Sequence, residues 1–174
     1  MMNHNPHILI QTELGDIVVE LYLQRAPITV NNFLRYVAEN RFAEASFYRV
    51  VRADNEPNNP IKIAVIQGGL KIDNHPQSLP PIPHESTQQT GLRHEDGTLS
   101  MARDEPGSAS SEFFICMGDQ PELDFGCKRN PDGAGFAAFG KVVTGLDVVQ
   151  KIHQSQAIEQ TLEPTVPITK IIKV

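Results

Sequence analysis

The chain has 174 residues, with 15 Lys and Arg against 21 Asp and Glu for a formal charge of −6, 40% apolar residues, 13 Pro, 2 Cys and no Trp. A chain of this size buries about 70% of the surface its unfolded form exposes, so one domain over 1–174 is expected, with a core needing neither disulfides nor a structural metal. Apolar residues run from Ile8 to Val174, which excludes disorder; the longest apolar run, 113–117, is far short of the about 20 residues of a membrane helix; the acidic balance argues against nucleic acid.

In chain order, residues 8–12 and 17–23 predict a hairpin turning at Leu14, Gly15 and Asp16, because Ile17, Val19, Leu21 and Leu23 alternate onto one face. After Ala26 and Pro27 the period lengthens. Val30, Phe33, Leu34, Val37 and Ala38 share one face of a helix, with Asn31, Asn32, Arg35 and Glu39 opposite, and Pro27 suits the first turn. Further strands are predicted at 46–52, 63–67, 98–101, 112–117, 138–143 and 168–174. A second helix starts near Thr144 and Gly145, with Leu146, Val149 and Ile152 at i, i+3, i+6 spacing. Many strands and two helices predict a mainly β fold, an antiparallel sheet closed on itself or a sandwich, with helices packed outside. The loops 53–60, 71–96 and 118–135 approach or exceed the length at which loops are commonly functional.

The chemistry-bearing residue types mostly resist grouping. His4, His7, His75, His84, His94 and His153 have no zinc-ligand spacing and read as solvated loop residues. Cys116 reads as core, and with Cys127 alone there is no disulfide framework. Ser108, Ser110 and Ser111 lack the Gly-x-Ser-x-Gly frame of a nucleophile elbow, and Gly68, Gly69, Gly133 and Gly135 lack a phosphate-loop context. Phe113 and Phe114 must point to opposite faces of one strand. Arg49 interrupts the apolar run 47–51, either as a rim ion pair or as a guanidinium fork beside an apolar groove. Residues 95–124 hold eight carboxylates against Arg103 alone, so a site lined by this stretch favours substrates with Lys or Arg near the bound residue. The first seven residues lack the basic flank and apolar stretch of a signal peptide, which points to the cytoplasm, or to the periplasm or outside if a leader was removed.

Five segments in order, Phe47-Tyr48-Arg49-Val50, Ile66-Gln67-Gly68-Gly69, 97–103 (Gly-Thr-Leu-Ser-Met-Ala-Arg), Ser111-Glu112-Phe113-Phe114-Ile115 and Phe139-Gly140-Lys141-Val142-Val143, resemble the cyclophilin family of peptidyl-prolyl cis-trans isomerases. The resemblance spans about residues 8–174 and implies a closed eight-stranded antiparallel barrel capped by two helices, with the groove on its outer surface. It implies isomerisation of X-Pro bonds without cofactor or metal, by a monomer acting on proline-containing peptides and unfolded or flexible segments, away from membranes and nucleic acid. A non-catalytic proline-peptide binder or chaperone on the same barrel is the alternative. By motif position Arg49 is the catalytic group and Phe114 the floor of the proline pocket, with Leu123 and Phe136 as walls. Gln67 holds the substrate backbone or orients Arg49, and Ala102 and Arg103 border the residue before proline.

The chain also departs from the family pattern. Ala64 and Val65 stand where Phe and Met are usual, implying a shallower pocket. Glu112 replaces a frequent Gln and is placed to pair with Arg103 across the groove. Glu122 replaces the Trp that helps bind cyclosporin, so weak cyclosporin binding is expected.

Overall fold

The computed structural model describes residues 4–174. Its strands are β1 (His7–Thr12), β2 (Gly15–Leu21), β3 (Ser46–Val51), β4 (Val65–Gly69), β5 (Thr98–Met101), β6 (Phe113–Cys116), β7 (Ala137–Thr144), β8 (Ala157–Ile158) and β9 (Thr161–Lys173). The helices are α1 (Pro27–Ala38), the single turn α2 (Thr87–Thr90) and α3 (Leu146–His153). All pairings are antiparallel in the order β1-β2-β7-β5-β6-β4-β3-β9, and β9 returns to β1 to close an eight-stranded barrel, with β8 as a two-residue ribbon on β9. The closed mainly β fold is therefore as expected. The additional turn of helix, α2, lies in the loop read as irregular, started by a Ser86–Gln89 capping box and stopped by Gly91 in the left-handed region.

Alternation explains the barrel interior. Ile8, Ile10, Ile17, Val19 and Leu21 of the first hairpin are fully buried, and the inward rings of Phe33 and Phe113 meet edge to face with centroids 5.4 Å apart. Two elements differ from their sequence pattern. Asn32, assigned to the polar face of α1, is buried and donates to the Ser110 carbonyl at 2.8 Å, so a long-range hydrogen bond overrides the helical period. The last strand begins at Thr161 instead of 168, because Thr161 and Leu162 pair with β8 and Thr161 with Arg49; the pairing with β3 then breaks until Val166 and leaves Pro164, which has no N–H to donate, in the gap. Helix α1 has no side-chain cap of its own; the Glu85 carboxylate, from the long loop before α2, accepts the N–H groups of Ile28 and Thr29 at 3.3 and 2.7 Å.

The departure that positions the site is a bulge in β3. Phe47 pairs with Gly68 and Arg49 with Gln67, which leaves Tyr48 as the extra residue against β4; the pairing with β9 breaks at the same place, but there the surplus residues, 162–165, lie on β9. Phe47 and Val50 point into the barrel, while Tyr48 and Arg49 both emerge on its outer face. On that face a second, smaller apolar cluster gathers Val51, Ile63, Val65, Phe114, Cys116 and Leu123, with Ala102 and Phe136 packed against it. Truncating Phe113→Ala should cost about 3–5 kcal/mol in denaturant unfolding, and a loss below about 1 kcal/mol would remove this ring from the core.

Candidate active site

The outer cluster floors a cleft of about 460 Å³. Strands β4 and β6 supply its base. Outward positions of β4 carry Val65 and Gln67, while Ile66 and Gly68 face the barrel, where a Cβ on Gly68 would come within 2.9 Å of the Phe47 ring. On β6, Phe113 faces in and Phe114 faces out, as alternation requires. Phe136 stands at 90° to Phe114 with centroids 5.4 Å apart, and Leu123, carried on the turn Pro121–Leu123, completes the apolar floor.

Arg49 lies at the edge of this surface. Its Nη1 donates to Gln67 Oε1 at 2.8 Å, and its Nε and Nη2 both donate to Gln160 Oε1 at 3.1 and 2.8 Å. A guanidinium has five N–H donors, so after these three bonds two remain free. Burial pushes its pKa down and the nearby Arg129 adds to this, but the ordinary value is so high that the group stays a cation at neutral pH. Gln67 also donates through Nε2 to the Tyr48 hydroxyl at 3.0 Å, and that hydroxyl donates to Glu112.

Of the residues expected at the site, Arg49, Val65, Gln67, Ala102, Arg103, Glu112, Phe114, Leu123 and Phe136 all line this cleft. Ala64 does not: it precedes β4 out of phase with Val65 and Gln67, and its carbonyl accepts the Met117 N–H at 2.9 Å. The wall it was assigned to is supplied by Ile63, which the alternation 63, 65, 67 would have found. Glu112 and Arg103 do not pair. Arg103 forks onto Asp132 at 3.0 and 3.1 Å, reaches the Gly135 carbonyl, and lies 5.1 Å over the Phe136 ring, so it pins the wall. Those hydrogen bonds hold the Asp132 carboxyl below its usual range.

The expected acidic field is also absent from the groove. Of the eight carboxylates in 95–124 only Asp104 and Glu112 line it; with Asp73 they face Arg49, Lys71, Arg103 and Arg129. Asp96 and Asp119 accept loop N–H groups instead. Two histidines read as solvated are buried. His75 pairs with Glu44 at 2.8 Å. His94 stacks on Phe114 at 6.0 Å, with Nδ1 at 2.7 Å from Asp124 and Nε2 at 2.8 Å from the Ser100 hydroxyl, a polar layer directly behind the pocket floor. Gln160 was not anticipated; it sits between β8 and β9, 111 residues from Arg49, and no local pattern marks it.

Comparison with known proteins agrees with this geometry. Residues 7–173 match the sequence model of the cyclophilin type peptidyl-prolyl cis-trans isomerase/CLD family. The peptidyl-prolyl cis-trans isomerase of Acinetobacter baylyi is 36% identical over 94% of this chain and 80% of its own length. Isomerase A of Dickeya dadantii is 38% identical over 86% and 72%, and isomerase B of Escherichia coli 35% over 83% and 82%. A cyclophilin type isomerase of Cryptosporidium parvum, also solved in the presence of the dipeptide Ala-Pro, superposes with a TM-score of 0.77 at 20% identity, covering 98% of this chain and 98% of its own. A closed barrel with an apolar outer pocket beside a tethered arginine, matched over almost its whole length by these relatives, makes the chain a member of the cyclophilin-type peptidyl-prolyl cis-trans isomerase family.

Proposed function

We propose that the chain catalyses rotation about X-Pro peptide bonds in flexible or unfolded segments, with Arg49 as the catalytic group. An amide resists rotation by about 18–20 kcal/mol because its nitrogen lone pair is delocalised into the carbonyl. In the twisted state that lone pair is localised on the prolyl nitrogen, which becomes a hydrogen-bond acceptor; in either planar isomer it is a poor one. A guanidinium N–H aimed at this nitrogen therefore binds the twisted state more tightly than cis or trans, which is the condition for catalysis.

The observation that carries this reading is the state of Arg49. Gln67 and Gln160 fix its plane through three hydrogen bonds, two donors remain, and the apolar surface of Phe114, Leu123 and Phe136 lies in the same cleft to hold a proline ring. Val65 and Ile63 close the pocket with aliphatic side chains. No bond is broken, so the residues need supply only orientation and one preorganised donor.

The test is the cis-to-trans rate of an Ala-Pro-Phe peptide with wild type and with Arg49→Ala at equal concentration, both shown to be folded. Acceleration by wild type and a loss of at least about tenfold in the variant is expected. Equal rates would remove Arg49 from the chemistry, and no acceleration by folded wild type across varied residues before proline would make the barrel a binding module. A second outcome concerns cyclosporin. Glu122, half-buried beside the pocket wall, accepts the Lys128 N–H at 3.1 Å and offers a carboxylate where an apolar ligand would need an aromatic face. Calorimetry should give binding weaker than nanomolar, and a nanomolar Kd would contradict this.

A further inference from the structure

Glu112 stands in the groove wall but is not free to meet a substrate. Its Oε1 accepts the Leu70 N–H at 2.9 Å, the Lys71 N–H at 3.1 Å and the Ser111 hydroxyl at 2.9 Å, and its Oε2 accepts the Tyr48 hydroxyl. The backbone leaves room for this carboxylate, since a Cβ on Gly69, whose φ is +141°, would collide with it. Three side-chain hydrogen bonds then run in sequence from Glu112 through Tyr48 and Gln67 to Arg49.

We infer that Glu112 is a positioning residue for Arg49, acting through Tyr48 and Gln67 by fixing the direction of every hydrogen bond between them. This rests on Arg49 as the catalytic group. An ionised carboxylate has no proton to give, so the single hydrogen of the Tyr48 hydroxyl goes to Glu112. The hydroxyl oxygen then only accepts, and the Gln67 NH₂ fills it at 3.0 Å. That sets the sense of the Gln67 amide: its carbonyl end faces Arg49 and accepts Nη1 at 2.8 Å. The opposite sense would put NH₂ against guanidinium, donor against donor. Burial, reinforced by the Glu112 charge, pushes the pKa of the Tyr48 hydroxyl well above the ordinary tyrosine value, so the hydroxyl keeps its hydrogen at neutral pH.

Two substitutions interrupt the chain at different points. Tyr48→Phe removes the middle group and leaves the Leu70, Lys71 and Ser111 donors on Glu112 untouched. Glu112→Gln keeps the shape but brings a donor of its own, which releases the Tyr48 hydrogen to turn toward Gln67 and reverse the amide. Steady-state isomerisation of one proline peptide should show kcat lowered about five- to tenfold in each, with KM within about twofold of wild type, and the double variant no slower than the slower single. A Tyr48→Phe enzyme with full kcat, or effects that multiply in the double variant, overturns the relay.

A readout independent of turnover is the Arg49 Nη1–H signal in a ¹⁵N spectrum, since Nη1 is the atom that meets Gln67. It should move in both single variants, and a signal unmoved in Tyr48→Phe overturns the relay whatever the rates. If Arg49→Ala keeps the wild-type rate, the catalytic assignment of Arg49 and the positioning role fall together. If Arg49→Ala is slow while Tyr48→Phe is not, only the relay falls.

Discussion

One extra residue in one strand puts the arginine of the groove on the outside of the barrel. Along a regular strand Arg49 would share the inward parity of Phe47 and be driven into an apolar interior, where an unpaired guanidinium costs several kcal/mol or more. The bulge at Tyr48 resets the parity, so two consecutive polar side chains emerge on the outer face while Phe47 and Val50 stay buried. The pairing of β3 with β9 is interrupted at the same place, so on that side too the ladder is open between Phe47 and Arg49. The bulge also brings Arg49 directly opposite Gln67, whose carbonyl oxygen accepts the Nη1–H hydrogen bond.

The wall of the barrel then serves two cores at once. Strand β6 gives Phe113 to the interior, where it meets Phe33, Phe42 and Phe47, and Phe114 to the groove, where it meets Phe136. Behind Phe114 the stacked His94, held by Asp124 and Ser100, fixes the ring from the far side. An apolar pocket built this way borrows its rigidity from strands that the fold needs anyway, while Leu123, Phe136 and the Arg103–Asp132 clamp come from the segments between strands.

What could be read from the sequence follows from how local each cause is. The hairpin, α1, α3 and most strands carry their own periodicity, and the opposed faces of Phe113 and Phe114 need only the pleat. The bulge does not show, because Phe47-Tyr48-Arg49 reads as plain alternation until the partner strands fix the register. Gln160, the cap that Glu85 provides to α1, and the burial of Asn32, His75 and His94 are all contacts across long separations, each with a polar side chain whose solvation is replaced by a specific partner. The expected groove field failed for the same reason: a run of carboxylates in the chain was dispersed by the fold onto loop N–H groups and His94, leaving the groove itself with both signs of charge.

Closure of β9 onto β1 bears on the company such a protein keeps. An open sheet presents a row of unpaired N–H and C=O groups, on which any extended chain can add itself as a further strand and seed aggregation. Here, among the described residues, every strand of the ring has a neighbour on both sides, and the strand with a single neighbour is the two-residue β8, Ala157–Ile158. The groove is lined by side chains on the outside of the wall, so under the proposed function a segment held there at one proline meets no open strand edge to add itself to.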